Sequence, residues 1–409
     1  MTHFFWRNFF RLLIFTAALS EWVCLAWILT VIAGLEIPLA VHVLAPLALH
    51  ALNRTVLTGG VPQAQRSLRT LASRAYVRVV FASLFGMAFL VLNAALWSVT
   101  GAGLELAALA GLPVSTAAAH AGARWFGSAG LATVTAMIMH GYGRGQRGVR
   151  IVELDVLVRG LSRALDGLRI VQLSDIHLGM FMDAERLRPY VEQANSLGAD
   201  IVCITGDITD GLGHAPTTFP VLAGLRARDG VFAILGNHDM YTGADAVAAT
   251  LRHYSDFTLL RDAAVTIERD GARLHILGLD DKGLDWARGL REDPSLRALC
   301  DKVPANEPMM LLSHRPDLFE QAASLGIALV LSGHTHGGQL ALPWPSARPA
   351  SLAHFMTRYP RGSFTTAGAT LHVNLGLGVT GQPVRVFSPR EITVVTLRSD
   401  VRPGVKDPC

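Results

Sequence analysis

Asp175-Ile-His177, Gly206-Asp207-Ile-Thr-Asp210, Gly236-Asn237-His238-Asp239, Ser313-His314 and Gly333-His334-Thr-His336 supply carboxylates, imidazoles and a carboxamide within one stretch of the chain. A mixed set of Asp and His suits first-row divalent ions, whereas carboxylates alone suit Mg²⁺ or Ca²⁺. Two ions ~3.5–4 Å apart need a shared ligand, and a carboxylate can give one oxygen to both. A lone loop histidine is ordinarily structural, and Ser313-His314 alone would carry no weight. All five motifs together point to a metal centre.

Each motif follows a short apolar run, at 168–173, 201–205, 231–235, 309–312 and 327–331. Such runs read as buried strands. Side chains just past strand ends gather along one edge of a sheet, where α/β folds place their sites. Residues 152–158 alternate like an edge strand, 391–397 read as a closing strand, and 184–197 and 316–325 carry helical patterns. His334 and His336, two apart as the chain leaves a strand, are expected to point the same way. Gly206, Gly236, Gly333, Gly337 and Gly338 flank ligands and are expected to permit tight turns.

The stretches LSDIHLG, GNHD, LSHRPD and LSGHTHGGQ, in this order and each behind a strand, resemble the calcineurin-like metallophosphoesterases. Within that family the chain is similar to a membrane-anchored bacterial branch, over residues 165–397, with no ligand position substituted. The resemblance implies an α/β metallophosphoesterase fold: two packed mixed β-sheets flanked by helices. It implies two divalent ions, of Mn, Fe or Zn type. Asp175, His177, Asp207 and His336 would hold the first, and Asp207, Asn237, His314 and His334 the second. His238 would be catalytic, facing phosphate to protonate the leaving oxygen or stabilise developing charge. Asp239 or Asp210 can orient it, and Asp210 can equally support a ligand histidine.

The implied activity is hydrolysis of a phosphodiester or pyrophosphate bond by a metal-bridging hydroxide. A narrower alternative is a UDP-acylated-glucosamine pyrophosphatase of lipid A synthesis, and another is a cyclic-nucleotide or general phosphodiesterase. A non-enzymatic membrane sensor or scaffold with a decayed site is the alternative from another class; the intact ligand set opposes it.

The remaining residues say where such a site works. Mean hydropathy is +0.36, and 51% of residues are hydrophobic. Before residue 151 the charged residues are arginines and three glutamates, giving about +8, while the rest carries about −4. The pI of 9.0 therefore reflects arginines flanking apolar segments, and no nucleic-acid partner is expected. Apolar runs at 9–33, 37–57, 79–99 and 125–141 read as a bundle of about four transmembrane helices over 1–142, each span needing ~20 residues. Residues 101–121, Ala- and Gly-rich, are open as a re-entrant, interfacial or further spanning segment. Residues 143–164 read as a linker and edge strand, 165–400 as the catalytic domain and 401–409 as a tail.

Arg7, Arg11, Arg54, Arg66, Arg69, Arg74, Arg78, Arg144, Arg147 and Arg150 all fall on one side of a four-span arrangement. Positive charge stays inside, so a multi-pass protein of a bacterial inner membrane with a cytoplasmic catalytic domain is expected. Tethering favours a phosphorylated, amphiphilic or lipid-linked substrate, with membrane lipids as partners. Glu21 lies mid-span and is expected to be paired inside the bundle; His42 and His50 share a helix face and read as packing residues. Loop 341–365 carries Trp344, Phe355, Tyr359 and Phe364 beside Arg348, Arg358 and Arg361, as a lipid-contacting lip would. Residues 280–308 read as a solvated helix with connectors. Cys24, Cys203, Cys300 and Cys409 lack pairing spacing and are expected to be reduced.

Overall fold

The computed structural model describes residues 2–58, 68–283, 285, 287–342 and 349–400. Arg66, Trp344, Arg348, Cys409 and the 401–409 tail lie outside the described residues. The chain divides into two compact units, Met1–Gly143 and Arg144–Cys409.

The first unit is helical: α1 (Thr2–Trp27), continued by a π-helical turn Ile28–Ile32, α2 (Leu39–Thr58), α3 (Leu68–Leu109) and α4 (Thr116–Tyr142). Three of these are long and apolar enough to cross a membrane, through Arg11–Ile32, Leu39–Val56 and Ala75–Leu109. Residues 101–121 form no segment of their own. α3 runs through Leu109, and α4 starts after Ser115, whose side chain accepts the Ala118 N–H at 3.2 Å. A buried glutamate inside an apolar bundle needs partners, and Glu21 has one: Asn53 Nδ2 donates to Glu21 Oε2 at 2.7 Å, and Tyr76 Oη donates to Asn53 Oδ1 at 3.0 Å. His42 accepts from Trp22 Nε1 at 3.3 Å and the His50 ring stands edge-on to Phe15, so both face α1 as packing residues.

The second unit carries two six-stranded sheets. Sheet one joins β1 (Val149–Val158), β2 (Arg169–Leu173), β3 (Ile201–Thr205), β4 (Gly230–Ile234), β5 (Thr258–Leu259) and β14 (Arg390–Ser399) in the order β1-β14-β2-β3-β4-β5. Sheet two joins β6 (Ala263–Arg269), β7 (Ala272–Gly278), β8 (Met309–Leu312), β9 (Leu329–Ser332), β12 (Gly362–Thr366) and β13 (Ala369–Val373) in the order β12-β13-β9-β8-β7-β6. β10 (Ala341–Leu342) and β11 (Ala350–Ser351) form a separate two-stranded ladder. Both large sheets are mixed, with β2, β3 and β4 parallel in one and β7, β8, β9 and β13 parallel in the other. β1 is an edge strand, as its alternation suggests.

The near-continuous apolar runs have a physical reason: each central strand is buried on both faces. Ile170, Ile201, Cys203, Ile276, Met310, Leu312 and Leu329 share one core with residues of both sheets. Their strand neighbours Val171, Val202 and Ile204 face the other way, against Leu187 and Val191 of α5 (Ala184–Ser196), Phe219 of α6 (Ala215–Leu222) and Val247 and Leu251 of α7 (Asn237–Tyr254). On the far side Leu277, Leu311 and Val330 pack with Leu296 and Leu299 of α8 (Pro294–Cys300) and Phe319 of α9 (Phe319–Ser324). The result is helix, sheet, sheet, helix, the layering expected.

Three local expectations change. The described residues of 280–308 contain one short helix, α8, and its Leu296 and Leu299 are buried rather than solvated. Pro316 starts a 3₁₀ turn before α9, shortening the helix expected over 316–325. In loop 341–365 the rings of Tyr359 and Phe364 pack on each other and Tyr359 on Phe319, Arg358 pairs with Glu320, and Arg361 is buried, donating to the Phe387 carbonyl. Of the described aromatics expected on a lip, Phe355 alone projects outward, at 84% exposure. Cys24, Cys203 and Cys300 are free.

Candidate metal centre

Parallel strands present their C-terminal ends together, and the five motifs sit there. Asp175 and His177 follow β2, Asp207 follows β3, Asn237 opens α7 after β4, His314 follows β8, and His334 and His336 follow β9. All seven side chains are buried. Three triplets bring ligand atoms within 4.8 Å of one another: Asp175/His177/His336, Asp207/His314/His334 and His177/Asp207/His238. Asp207 belongs to two of them. Its Oδ2 lies 3.6 Å from His177 Nε2 and 3.3 Å from His314 Nε2, while its Oδ1 accepts the His238 backbone N–H at 2.8 Å.

The donor set fits a cation. The Thr205 carbonyl can only accept, so His314 Nδ1–H donates to it, at 2.8 Å. His314 Nε2 then directs a lone pair toward Asn237 Oδ1 at 3.2 Å and Asp207 Oδ2. His177 is set in the same way: Nδ1 pairs with Asp210 Oδ1 at 2.7 Å, and Nε2 faces His336 Nε2 at 3.0 Å. Imidazole lone pairs pointed at the Asp207 carboxylate oxygen are repulsive unless a proton or a metal ion lies between them. The protons show that demand: burial opposes charging His314, yet Asp207 raises its pKa to about 10. His177 is likewise raised against burial, to about 9, by Asp210 and Asp207. Burial works against Asp207 too, but His314, His177 and His238 hold its carboxyl well below the usual range.

The backbone that places these groups is strained. Asp175, His177, Asp207, His334 and His336 have φ of 48°, 50°, 51°, 69° and 49°. This left-handed region is uncommon outside glycine and costs of order 1–3 kcal/mol per residue. His334 and His336 are therefore not aligned by strand geometry as expected, because β9 ends at Ser332 and both sit in a tight turn. His334 N–H donates to both Asp175 oxygens at 3.0 and 3.1 Å, tying the two loops together. Space requires the glycines: a Cβ at Gly236 would strike Asp207, and one at Gly333 would strike Ser174 and Asp175.

The two supporting aspartates have different roles. Asp210 Oδ1 accepts from His177 Nδ1 and, at 2.8 Å, pairs with His238 Nδ1. Its pKa falls to about 2 despite burial, so it stays an anion between two rings. Asp239 does not touch the His238 ring. Its buried carboxylate accepts N–H groups of Ile208, Thr209 and Gly236 at 2.9–3.0 Å, bracing the β3 and β4 loops that carry Asp207 and Asn237. The His238 ring is part-exposed, at 29%, and its Nε2 has no protein hydrogen-bond partner among the described residues.

Sequence reading misses Arg385. It is 1% exposed and forms no ion pair among the described residues. Its guanidinium donates to the carbonyls of Leu375, Gly376, Gly378, Ser388 and Pro389 and lies 3.3 Å from His336 Nδ1. Gly378 N–H in turn bonds the Asp175 carbonyl. A buried arginine satisfied chiefly by backbone carbonyls fixes a loop, and the signal available was one charge within Val384-Arg385-Val386-Phe387. Arg385→Met should leave several carbonyls unsatisfied and cost about 3 kcal/mol or more. The check is the urea midpoint of the full-length protein; an unchanged midpoint would show that the loop holds itself.

Residues 168–338 match the family model described as calcineurin-like phosphoesterase. An uncharacterized metallophosphoesterase of Bacillus subtilis is 33% identical over 230 residues, covering 55% of this chain and 77% of that protein. An uncharacterized metallophosphoesterase of Aquifex aeolicus is 32% identical over 228 residues, covering 55% of this chain and 83% of that protein. A transmembrane protein with metallophosphoesterase domain from Danio rerio is 30% identical over 256 residues, covering 61% of this chain and 57% of that protein.

Proposed function

Because this chain belongs to the calcineurin-like phosphoesterases, a family of metal-dependent phosphoester hydrolases, we propose that it is a membrane-anchored hydrolase of a phosphodiester or pyrophosphate bond in an amphiphilic substrate. The observation that carries this reading is the convergence of Asp175, His177, Asp207, Asn237, His314, His334 and His336 at the C-terminal ends of two sheets. Asp175, His177, Asp207 and His336 would hold one divalent ion, and Asp207, Asn237, His314 and His334 a second. Ions there supply charge neutralisation and polarisation of the phosphoryl group.

The chain's own residues do the rest. Asp207 offers its two oxygens to different neighbours, as a shared ligand must. Asp210 holds the His238 Nδ1 side, leaving Nε2 as the atom that meets the leaving oxygen. A proton passed from that nitrogen lets an alkoxide depart as an alcohol. Asp239 keeps the loops of Asp207 and Asn237 in register. The test is a screen of lipid and nucleotide extracts with purified, Mn²⁺-loaded full-length protein, read by new phosphate-containing products. Loss of those products on chelation supports the reading; product formation that ignores chelation sinks it.

The apolar helices and the Danio rerio relative support membrane association. The arginines of 54–78 and 144–150, set against loops 34–36 and 100–124 that hold only Glu36, Glu105 and Arg124, support four crossings with the catalytic unit in the cytoplasm. A fusion after Cys409 to a reporter active only in the cytoplasm should then score positive, and an export-dependent reporter should be silent. The reverse pattern would mean that α4 does not cross, and would remove cytoplasmic nucleotide-linked lipids as substrates.

A further inference from the structure

Beside His238 lies an open groove of about 500 Å³, within the size range of small-molecule sites. Asp210 and His238 form its inner wall, and Leu212, Tyr241, Thr242 and Thr380 line the rest. The groove starts where His238 Nε2 is unpartnered, so a group leaving phosphorus with that proton departs into it.

Its lining is selective. The one acid is Asp210, held as an anion between His177 and His238, and no lysine or arginine lines it among the described residues. Tyr241 is 64% exposed, with its ring 5.8 Å from that of His238, so its face is free to cover an apolar surface. Gly243, at φ 111°, breaks α7 just beyond and separates the turn bearing His238 and Tyr241 from the rest of the helix. On the opposite wall Gln339 clamps Thr380 by both backbone groups, donating to its carbonyl at 2.7 Å and accepting its N–H at 3.0 Å. Gln339 directly follows the His334–Gly338 turn, so this wall is fixed to the metal ligands. The Thr242 and Thr380 hydroxyls meet no protein partner among the described residues and remain available to a hydroxylated guest.

Resting on the phosphoesterase reading above, we propose that this groove is the leaving-group site and takes an uncharged alcohol, hydroxylated on one side and apolar on the other, as a glycerol or sugar moiety is. A second phosphate would meet the Asp210 carboxylate with no lysine or arginine of the groove to balance it, and phosphate recognition ordinarily recruits arginine or lysine. The preferred bond is then a phosphodiester, not a pyrophosphate. In the reaction a water oxygen bonds to phosphorus while the P–O bond to the alcohol breaks. One water proton reaches the alcohol oxygen by way of His238, and the other stays with the phosphomonoester product.

The test uses full-length, detergent-solubilised, Mn²⁺-loaded protein and a matched pair of probes. Octyl glyceryl phosphate joins two alcohols through one phosphate; octyl glyceryl diphosphate joins the same alcohols through two. The expected kcat/KM is at least ~10-fold higher for the monophosphate diester. Tyr241→Ala should raise KM for it ~5-fold or more, with a smaller change in kcat, because an exposed ring binds but does not react. Thr242→Lys should move the ratio of the two probes ~10-fold toward the diphosphate. Equal turnover of both probes, or preference for the diphosphate, overturns the proposal while leaving a phosphoesterase. No hydrolysis of either probe, nor of bis(4-nitrophenyl) phosphate, overturns the phosphoesterase reading itself.

Discussion

Asp207→Asn empties the metal centre and lowers turnover by ~10³-fold or more, a loss of several kcal/mol of charge stabilisation. The carboxylate is fully enclosed, with Oδ2 within 3.6 Å of His177 Nε2 and 3.3 Å of His314 Nε2. The amide keeps the shape and can still accept the His238 N–H, so the loops should hold. What disappears is the negative charge that would offset the two proposed dications, and one of the two oxygens able to ligate. Metal content by elemental analysis and turnover on bis(4-nitrophenyl) phosphate give the two readouts. A variant that kept two ions per chain and near-normal rates would falsify the shared-ligand assignment.

His238→Asn is expected to cost ~10²–10⁴-fold on an unactivated ester, the usual scale for general acid–base work. Both ions should stay bound. His238 does fall within a potential ligand triplet with His177 and Asp207, so the metal measurement is informative. Loss of an ion would make His238 a ligand. With the ions in place, the leaving group decides the role. Nitrophenolate departs without a proton, so its hydrolysis should suffer far less than that of an alkyl ester. Equal losses on both would assign His238 to charge stabilisation or orientation instead.

The candidate ligands were legible because their chemistry is carried by residue type, and the strands because burial on both faces turns them into unbroken apolar runs. Six of the seven residues predicted as ligands fall into the three triplets, Asn237 joins them through His314, and strand limits agree to within two residues at β2, β3, β4, β8 and β9. Less was legible where the backbone leaves regular structure. Nothing in Asp175 or His336 announces a left-handed conformation, which is imposed by the loop around it. The assignment of Asp210 to His238, and of Asp239 to three backbone N–H groups, depends on how loops after β3 and β4 meet. Arg385 acts through a segment folded back from elsewhere in the chain, which no local period reports. In the helical unit, hydropathy marks apolar stretches well but is silent on whether α3 stops at a membrane face. It continues for 42 residues.

The positive φ angles at Asp175, His177, Asp207, His334 and His336 bear on how a lineage of this kind would retire. These positions favour glycine or asparagine on conformational grounds, and only the need for a donor atom keeps Asp and His there. Once selection for catalysis lapses, each replacement by glycine relieves strain, so decay would begin at those five sites while the apolar strands persist. A descendant turned receptor or scaffold would still fold. It would be recognisable by glycines where its ancestor kept ligands, with Asn237 and His314, which do not share that backbone, as the last relics of the enzyme.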